Sequence, residues 1–205
     1  MSKVTAHMAM SLDGFIAGPN AGIGNPLGDG GERVHEWIIG LKSWRERQGR
    51  DGGSTGPDDD AIAAAMSNWG AIVMGRRMFD EGEEPWGANP SFHAPVFVVT
   101  HEPRETLQRE GGTSYTFVTD GLEVALEQAR AAAGDRNVDV AGGADTIRQF
   151  LHARLLDELL IHLVPIVLGG GNRLFDGLDP ELVSFEKARV VDTEAVTHIA
   201  LRPRR

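Results

Sequence analysis

The chain has 205 residues, 41% hydrophobic and 24% charged, which suits one globular domain with a sizeable core rather than two. A net charge of −10 excludes a general nucleic-acid or anionic-membrane binder, so any anionic ligand must be held by local basic groups. The lack of cysteine excludes a disulfide framework, a thiolate nucleophile and thiolate zinc sites.

Residues 3–10 read as a first strand, ended by Ser11-Leu-Asp-Gly14, and a glycine-rich loop runs from Gly18 to Gly31. Val34, Trp37, Ile38 and Leu41 fall at helical spacing and predict a helix over 33–45. The stretch from Gln48 to Pro57 lacks apolar periodicity and reads as a mobile loop; Asp58-Asp59-Asp60 then opens a helix whose Ile62, Met66 and Trp69 share a face. Strands follow at 71–75, 95–100 and 114–119, with a helix after the first of them. Leu122, Leu126, Ala129 and Ala133 mark another helix, 137–141 a short strand, and 145–154 a helix with Ile147, Phe150 and Leu151 inward. This alternation implies parallel strands joined by crossover helices. Beyond it, Leu159–Leu168, Val183–Val191 and Val196–Leu201 are strands without a clear helix between them, which predicts antiparallel pairing at the end of the sheet. The longest apolar run, Leu159 to Leu168, is too short to span a bilayer, and the first residues lack a signal-peptide core. A cytoplasmic protein with no membrane partner is expected.

Two glycine junctions carry the chemical signal. In Val140-Ala-Gly-Gly-Ala-Asp-Thr146 an apolar run meets two glycines and then a helix, where bare backbone and free N–H groups suit a diphosphate; a plain tight turn is the alternative. The second, Ala71-Ile-Val-Met-Gly-Arg-Arg77, adds two guanidinium forks that complement phosphate oxygens, with Arg104 a further source of positive charge. Ser11-Leu-Asp-Gly14 is either a turn shaped by Asp13 or part of a site, and Gly169-Gly-Gly171 is either a bulge or a close backbone approach to a ligand. The seven histidines show no metal-ligand spacing, so no metal is expected, and His162 reads as a packed mid-strand residue.

Taken in order, Ser11-Leu-Asp-Gly-Phe-Ile-Ala-Gly18, Val73-Met-Gly-Arg-Arg77, Val140-Ala-Gly-Gly143 and Pro165-Ile-Val-Leu-Gly-Gly-Gly-Asn-Arg-Leu-Phe175 resemble the dihydrofolate reductase superfamily. The similarity is greatest to the branch of the C-terminal reductase domain of the riboflavin-biosynthesis deaminase/reductase. It implies an α/β three-layer fold with a central mixed, mostly parallel sheet, flanking helices and an antiparallel C-terminal strand pair. It also implies NADPH, hydride transfer to a small heterocyclic or sugar-imine substrate, and a homodimer.

Carried over by motif, Ala17, Gly75, Arg76, Arg77, Gly142, Gly143, Ala144, Asp145, Thr146 and Gly170 would meet the cofactor, with Thr100 and His101 at an adenosine 2′-phosphate. Ser11, Leu12 and Trp37 would border the substrate. Asp13, Glu36 and Asp60 are the candidate acids, although Glu36 and Asp60 lie in no matching motif and also suit surface or capping roles. Met78 replaces a Thr common in dihydrofolate reductases, and Phe15 a Lys common in the riboflavin branch, which weakens a phosphoribosyl substrate. The nearest named activity is 5-amino-6-(5-phosphoribosylamino)uracil reductase. Dihydrofolate reductase itself, and a nucleotide binder without turnover, remain alternatives.

Overall fold

A computed structural model describes residues 2–204. In chain order these form β1 (Val4–Ser11), β2 (Phe15–Ala17), α1 (Glu36–Ile39), α2 (Lys42–Arg47), α3 (Pro57–Ser67) and β3 (Trp69–Gly75). There follow α4 (Arg76–Trp86), β4 (Pro95–Val99), β5 (Leu107–Gln108), β6 (Ser114–Val118), α5 (Leu122–Ala133), β7 (Asn137–Gly142) and α6 (Ala144–His152). The C-terminal part supplies β8 (Glu158–Val164), β9 (Asn172–Arg173), β10 (Phe185–Asp192) and β11 (Thr197–Pro203).

Nine strands make one sheet in the order β10-β11-β8-β1-β7-β3-β4-β6-β5. The run from β8 to β6 is parallel throughout. Such strands are buried on both faces and need near-continuous apolar sequence, as Ala71-Ile-Val-Met74 and Val96-Phe-Val98 provide. Alternate residues sort to opposite sides. Ala71, Val73 and Phe97 pack with Ala125, Leu126 and Ala129 of α5, whereas Ile72, Met74, Val96 and Val98 pack with Phe79 of α4 and Tyr115. The result is a three-layer α/β fold whose antiparallel pair, β11 on β8 and β10 on β11, closes one edge as the sequence implies. Among the described residues no helix is long and apolar enough to cross a membrane.

The segment expected as one helix over 33–45 is instead a 3₁₀ turn at Gly31–Val34 and the two short helices α1 and α2. Leu41 is extended between them, at ψ 143°, and its helical spacing serves different cores: Val34 packs against Ala9 and Val164, Leu41 against Ile62 and Met66. The polar loop after α2 is anchored. Lys42 N–H donates to the Ser54 carbonyl, and the Arg45 guanidinium donates to the Asp51 carbonyl. Trp69 opens β3 rather than lying on α3, which ends at Ser67. The strand from Leu159 stops at Val164 because Pro165 has no N–H to continue a ladder. The tiny ladder of β2 with β9 has no signal in periodicity.

Candidate active site

The glycine junctions and the C-terminal ends of β1, β3 and β7 open on one cavity of about 440 Å³. Gly75, Gly143, Ala144, Asp145 and Thr146 form one end, with the guanidinium groups of Arg77, Arg148 and Arg173 around them. A Cβ built on Gly143 meets nothing within 4 Å and points into open space, while one on Gly75 would sit 2.4 Å from Thr146 Oγ1. Gly75 therefore lets β3 meet α6, and Gly143 leaves the mouth of α6 clear. The first amides of α6, which have no intrahelical acceptor, face this space together with the positive end of the helix dipole.

The opposite end is lined by His7, His35, Trp37, Trp44, Trp69 and His162. Burial holds these imidazoles neutral: His7 is pushed down to about 4, His162 well below its usual value and His35 downward. His7 Nδ1, His35 Nδ1 and Trp69 Nε1 are buried without a hydrogen-bond partner. Unmet donors and acceptors of this kind are costly unless something polar meets them. Ala17, Ala141 and Met8 add apolar surface to the wall.

The residues picked from the sequence divide around this cavity. Ala17, Trp37, Gly75, Arg77, Gly143, Ala144, Asp145 and Thr146 are in its wall. Ser11, Leu12, Asp13, Glu36, Asp60, Arg76, Thr100, His101, Gly142 and Gly170 are not. Gly142 lies directly behind Gly143, to which it is joined by a cis peptide. Arg76 donates to Asp80 at 2.7 Å, to Glu102 at 3.2 Å and to Thr100 Oγ1 at 3.4 Å, so its charge is already matched by two carboxylates. His101 is exposed next to Thr100. Arg77 is bonded to Glu81 and to the Ala21 carbonyl.

Asp13 is an anchor. Its carboxylate accepts from Ser11 Oγ at 2.7 Å and from the N–H groups of Leu168 and Gly169 at 3.1 and 2.7 Å. Those bonds hold it down to about 2, so at neutral pH it is an ionised acceptor and not a source of protons. Ser11 Oγ in turn accepts from Phe15 N–H. Gly171, at φ +120°, passes so near Ala17 that a Cβ would lie 2.0 Å from its carbonyl oxygen, which presses the triple-glycine loop onto β2. Leu12 is exposed at the tip of its turn. Glu36 and Asp60 are exposed on α1 and α3.

Periodicity misses the basic residues that β9 and α6 deliver. Arg173 stacks over the Phe15 ring at 4.5 Å and, among the described residues, has no carboxylate partner; Arg148 donates to Asp145 and to the Arg173 carbonyl. The imidazoles are missed because a lone histidine in an apolar strand reads as packing. His162 and His198, however, lie directly opposite each other on β8 and β11.

A family model for the RibD C-terminal domain matches residues 2–198. The chain belongs to that family. Its relatives include the uncharacterized protein YwjB of Bacillus subtilis, 24% identical over 179 residues that make up 87% of this chain and 86% of YwjB. A Shewanella sp. PV-4 protein, provisionally named for riboflavin biosynthesis, superposes with a TM-score of 0.69 at 25% identity over 99% of both chains. Dihydrofolate reductase from Enterococcus faecalis, complexed with NADP(H), superposes at 0.56 with 16% identity over 99% of this chain and 97% of its own. RibD C-terminal domain membership thus comes with a dihydrofolate-reductase-like fold, and these neighbours are reductase-like.

Proposed function

We propose that the chain is an NADPH-dependent reductase of the riboflavin-pathway type that acts on a small, planar, uncharged C=N or C=O compound. The observation that carries this reading is the joining, in one cavity, of a glycine end that holds three arginines to an indole and imidazole end. The glycine end fits a dinucleotide diphosphate: Gly143 leaves open space, the α6 amides face it, and Arg173, beside Arg77 and Arg148 with their carboxylate partners Glu81 and Asp145, offers a guanidinium. A reduced nicotinamide, when bound, supplies the hydride.

The protein's own part is to hold, orient and dry the reactants. Ala17, Ala141 and Met8 give the cavity an apolar wall, and Trp37, Trp44 and Trp69 offer flat faces to a ring. Among the described residues no Lys or Arg is in the wall of the indole end, and Arg47, stacked over Trp69 at 5.2 Å, is already held by the Ser91 and Phe92 carbonyls, so a substrate phosphate would have to compete with the cofactor for the cations at the other end. That disfavours the phosphoribosyl compound of the named uracil reductase.

Calorimetry with NADPH, followed by its oxidation against a dihydropterin, a cyclic imine and an unsaturated pyrimidine, tests this. Tight binding with turnover of one compound is the expected result; binding without turnover of any would make the protein a nucleotide binder, and no binding would reject the reading. Homodimerisation also stays a proposal. Since β8 is flanked by β1 and β11, a two-fold contact along the sheet would use the free edge at β10, and light scattering at micromolar concentration decides it.

A further inference from the structure

Resting on the reductase reading, we infer that His162 donates the proton to the hydride acceptor, with His198 and Asp58 behind it passing a proton to its other ring nitrogen as it does so. The three groups form a chain from the molecular surface to the cavity. Asp58, in the first turn of α3 with a side chain 20% exposed, lies 2.8 Å from His198 Nε2. His198 Nδ1 is 2.6 Å from His162 Nδ1, and the His162 ring forms part of the cavity wall beside Trp37, at 5.0 Å between ring centres. Both imidazoles are almost wholly buried.

The geometry constrains the protons. A nitrogen-to-nitrogen contact of 2.6 Å holds one proton. When the relay carries no extra proton, His198 donates from Nε2 to Asp58 and accepts at Nδ1, so His162 is the Nδ1–H tautomer and its Nε2 is a bare acceptor. With one extra proton, His198 is doubly protonated against the Asp58 carboxylate. It now donates from Nδ1, and His162 becomes the Nε2–H tautomer, a neutral donor. The positive charge sits on the ring that has a carboxylate partner. His162 has none: the groups that face it are His7 from β1, His35 and Trp37 from the segment around α1, and His198 from β11. Burial and these imidazoles oppose charge on His162 itself.

The proton transfer then balances without His162 ever becoming an ion. The acceptor's carbon gains the hydride with its electron pair, and the π pair of the C=N or C=O bond moves to the heteroatom. That atom takes the proton from His162 Nε2, the N–H pair stays on the ring, and the His198 Nδ1 proton passes to His162 Nδ1. His198 is left neutral and bonded to Asp58, and the starting state returns when His162 Nε2 takes a proton from water in the emptied cavity while its Nδ1 proton passes back to His198 Nδ1.

Other acids are less well placed. Asp13 is ionised, and Glu36 and Asp60 are outside the cavity. Asp139 is near His7 but at 3.6 Å, beyond hydrogen-bond range, and is 2% exposed, which leaves no route for resupply. Among the described residues no cluster of three or more His, Asp and Glu side chains converges as a metal-ligand set.

The full chain labelled with ¹⁵N-histidine tests the relay, because imidazole nitrogen shifts separate the two tautomers from the imidazolium. Between about pH 8 and pH 5, His162 should pass from Nδ1–H to Nε2–H without the ring becoming charged. Asp58→Asn, a change near the surface that keeps an acceptor for His198, should move that transition and the pH profile of kcat to lower pH by about one unit or more. His162→Gln should lower kcat by about 10²-fold or more, with the dissociation constant of NADPH unchanged. A single fixed His162 tautomer over this range, or an unmoved kcat profile in Asp58→Asn, in a protein that binds NADPH, overturns the donor role alone. Failure of the wild-type protein to bind or oxidise NADPH overturns the reductase reading and the donor role together.

Discussion

His7 Nε2 on β1 lies 3.6 Å from Asp139 Oδ1 on the neighbouring β7, and burial drives the two groups in opposite directions. The imidazole is pushed down to about 4 and the carboxyl up to about 7. Acidification from pH 6.5 to about 4 protonates His7 in the unfolded chain but not in the fold, so stability is lost as pH falls. A rise from 3.8 to about 7 ionises Asp139 in the unfolded chain but not in the fold, so stability is lost as pH rises. Each slope is about 1.4 kcal/mol per pH unit, and in the shared window they oppose. Urea melts should give a flat profile there for the wild type, a stability that falls on acidification in Asp139→Asn, and the reverse slope in His7→Gln. Three parallel profiles would refute the linkage.

Gly143→Val tests the diphosphate cradle. The φ of Gly143, −70°, is open to any residue and its Cβ direction is clear, so the variant should fold. It should bind NADPH at least tenfold more weakly, a loss of about 1.4 kcal/mol or more. A folded variant that titrates NADPH like its parent would remove this junction from the site.

Glu102→Gln probes cofactor choice. Arg76 is held by Asp80 and Glu102 at the place expected for a 2′-phosphate, and Glu102 both occupies a donor and repels an added dianion. Its neutralisation should tighten NADPH severalfold and leave NADH unchanged, with the gain shrinking as salt is raised. An equal shift for both cofactors would place the 2′-phosphate elsewhere.

Asp13→Asn tests the anchor. Asparagine replaces an ionised acceptor shared by Ser11 Oγ and two backbone N–H groups, so the melting temperature should drop while NADPH affinity stays within about twofold of the wild type. The Asp13 carboxylate contributes its stability above the ordinary carboxylate range and loses it as pH falls through about 2, so the two melting curves should converge in strong acid. Loss of NADPH binding at unchanged melting temperature would make Asp13 a ligand.

How far the sequence could be read depended on the length of each signal. Ile72–Met74 and Val96–Val98 are central strands because an uninterrupted β-rich run has few other uses, and Gly142–Gly143 before Ala144 marks the helix mouth by the same logic. Val34 and Leu41 keep helical spacing across a break because two separate cores happen to demand apolar residues at those points. The pairing of β2 with β9 joins residues more than 150 positions apart, which no local pattern carries. The relay is hidden for the same reason. His162 and His198 look like isolated polar residues in apolar strands until the antiparallel register sets them face to face.

The position of β1 has a bearing on biosynthesis. β1 takes an interior place in the sheet, and its neighbours are strands that begin only at Asn137 and Glu158. Until those emerge, an apolar strand has both edges unpaired, a state that favours non-native pairing and slow completion of non-local contacts. Released C-terminal truncations lacking β7 and β8 should therefore aggregate rather than persist as smaller folded units. A nascent chain of this protein would need shelter by a chaperone until β8 has been made.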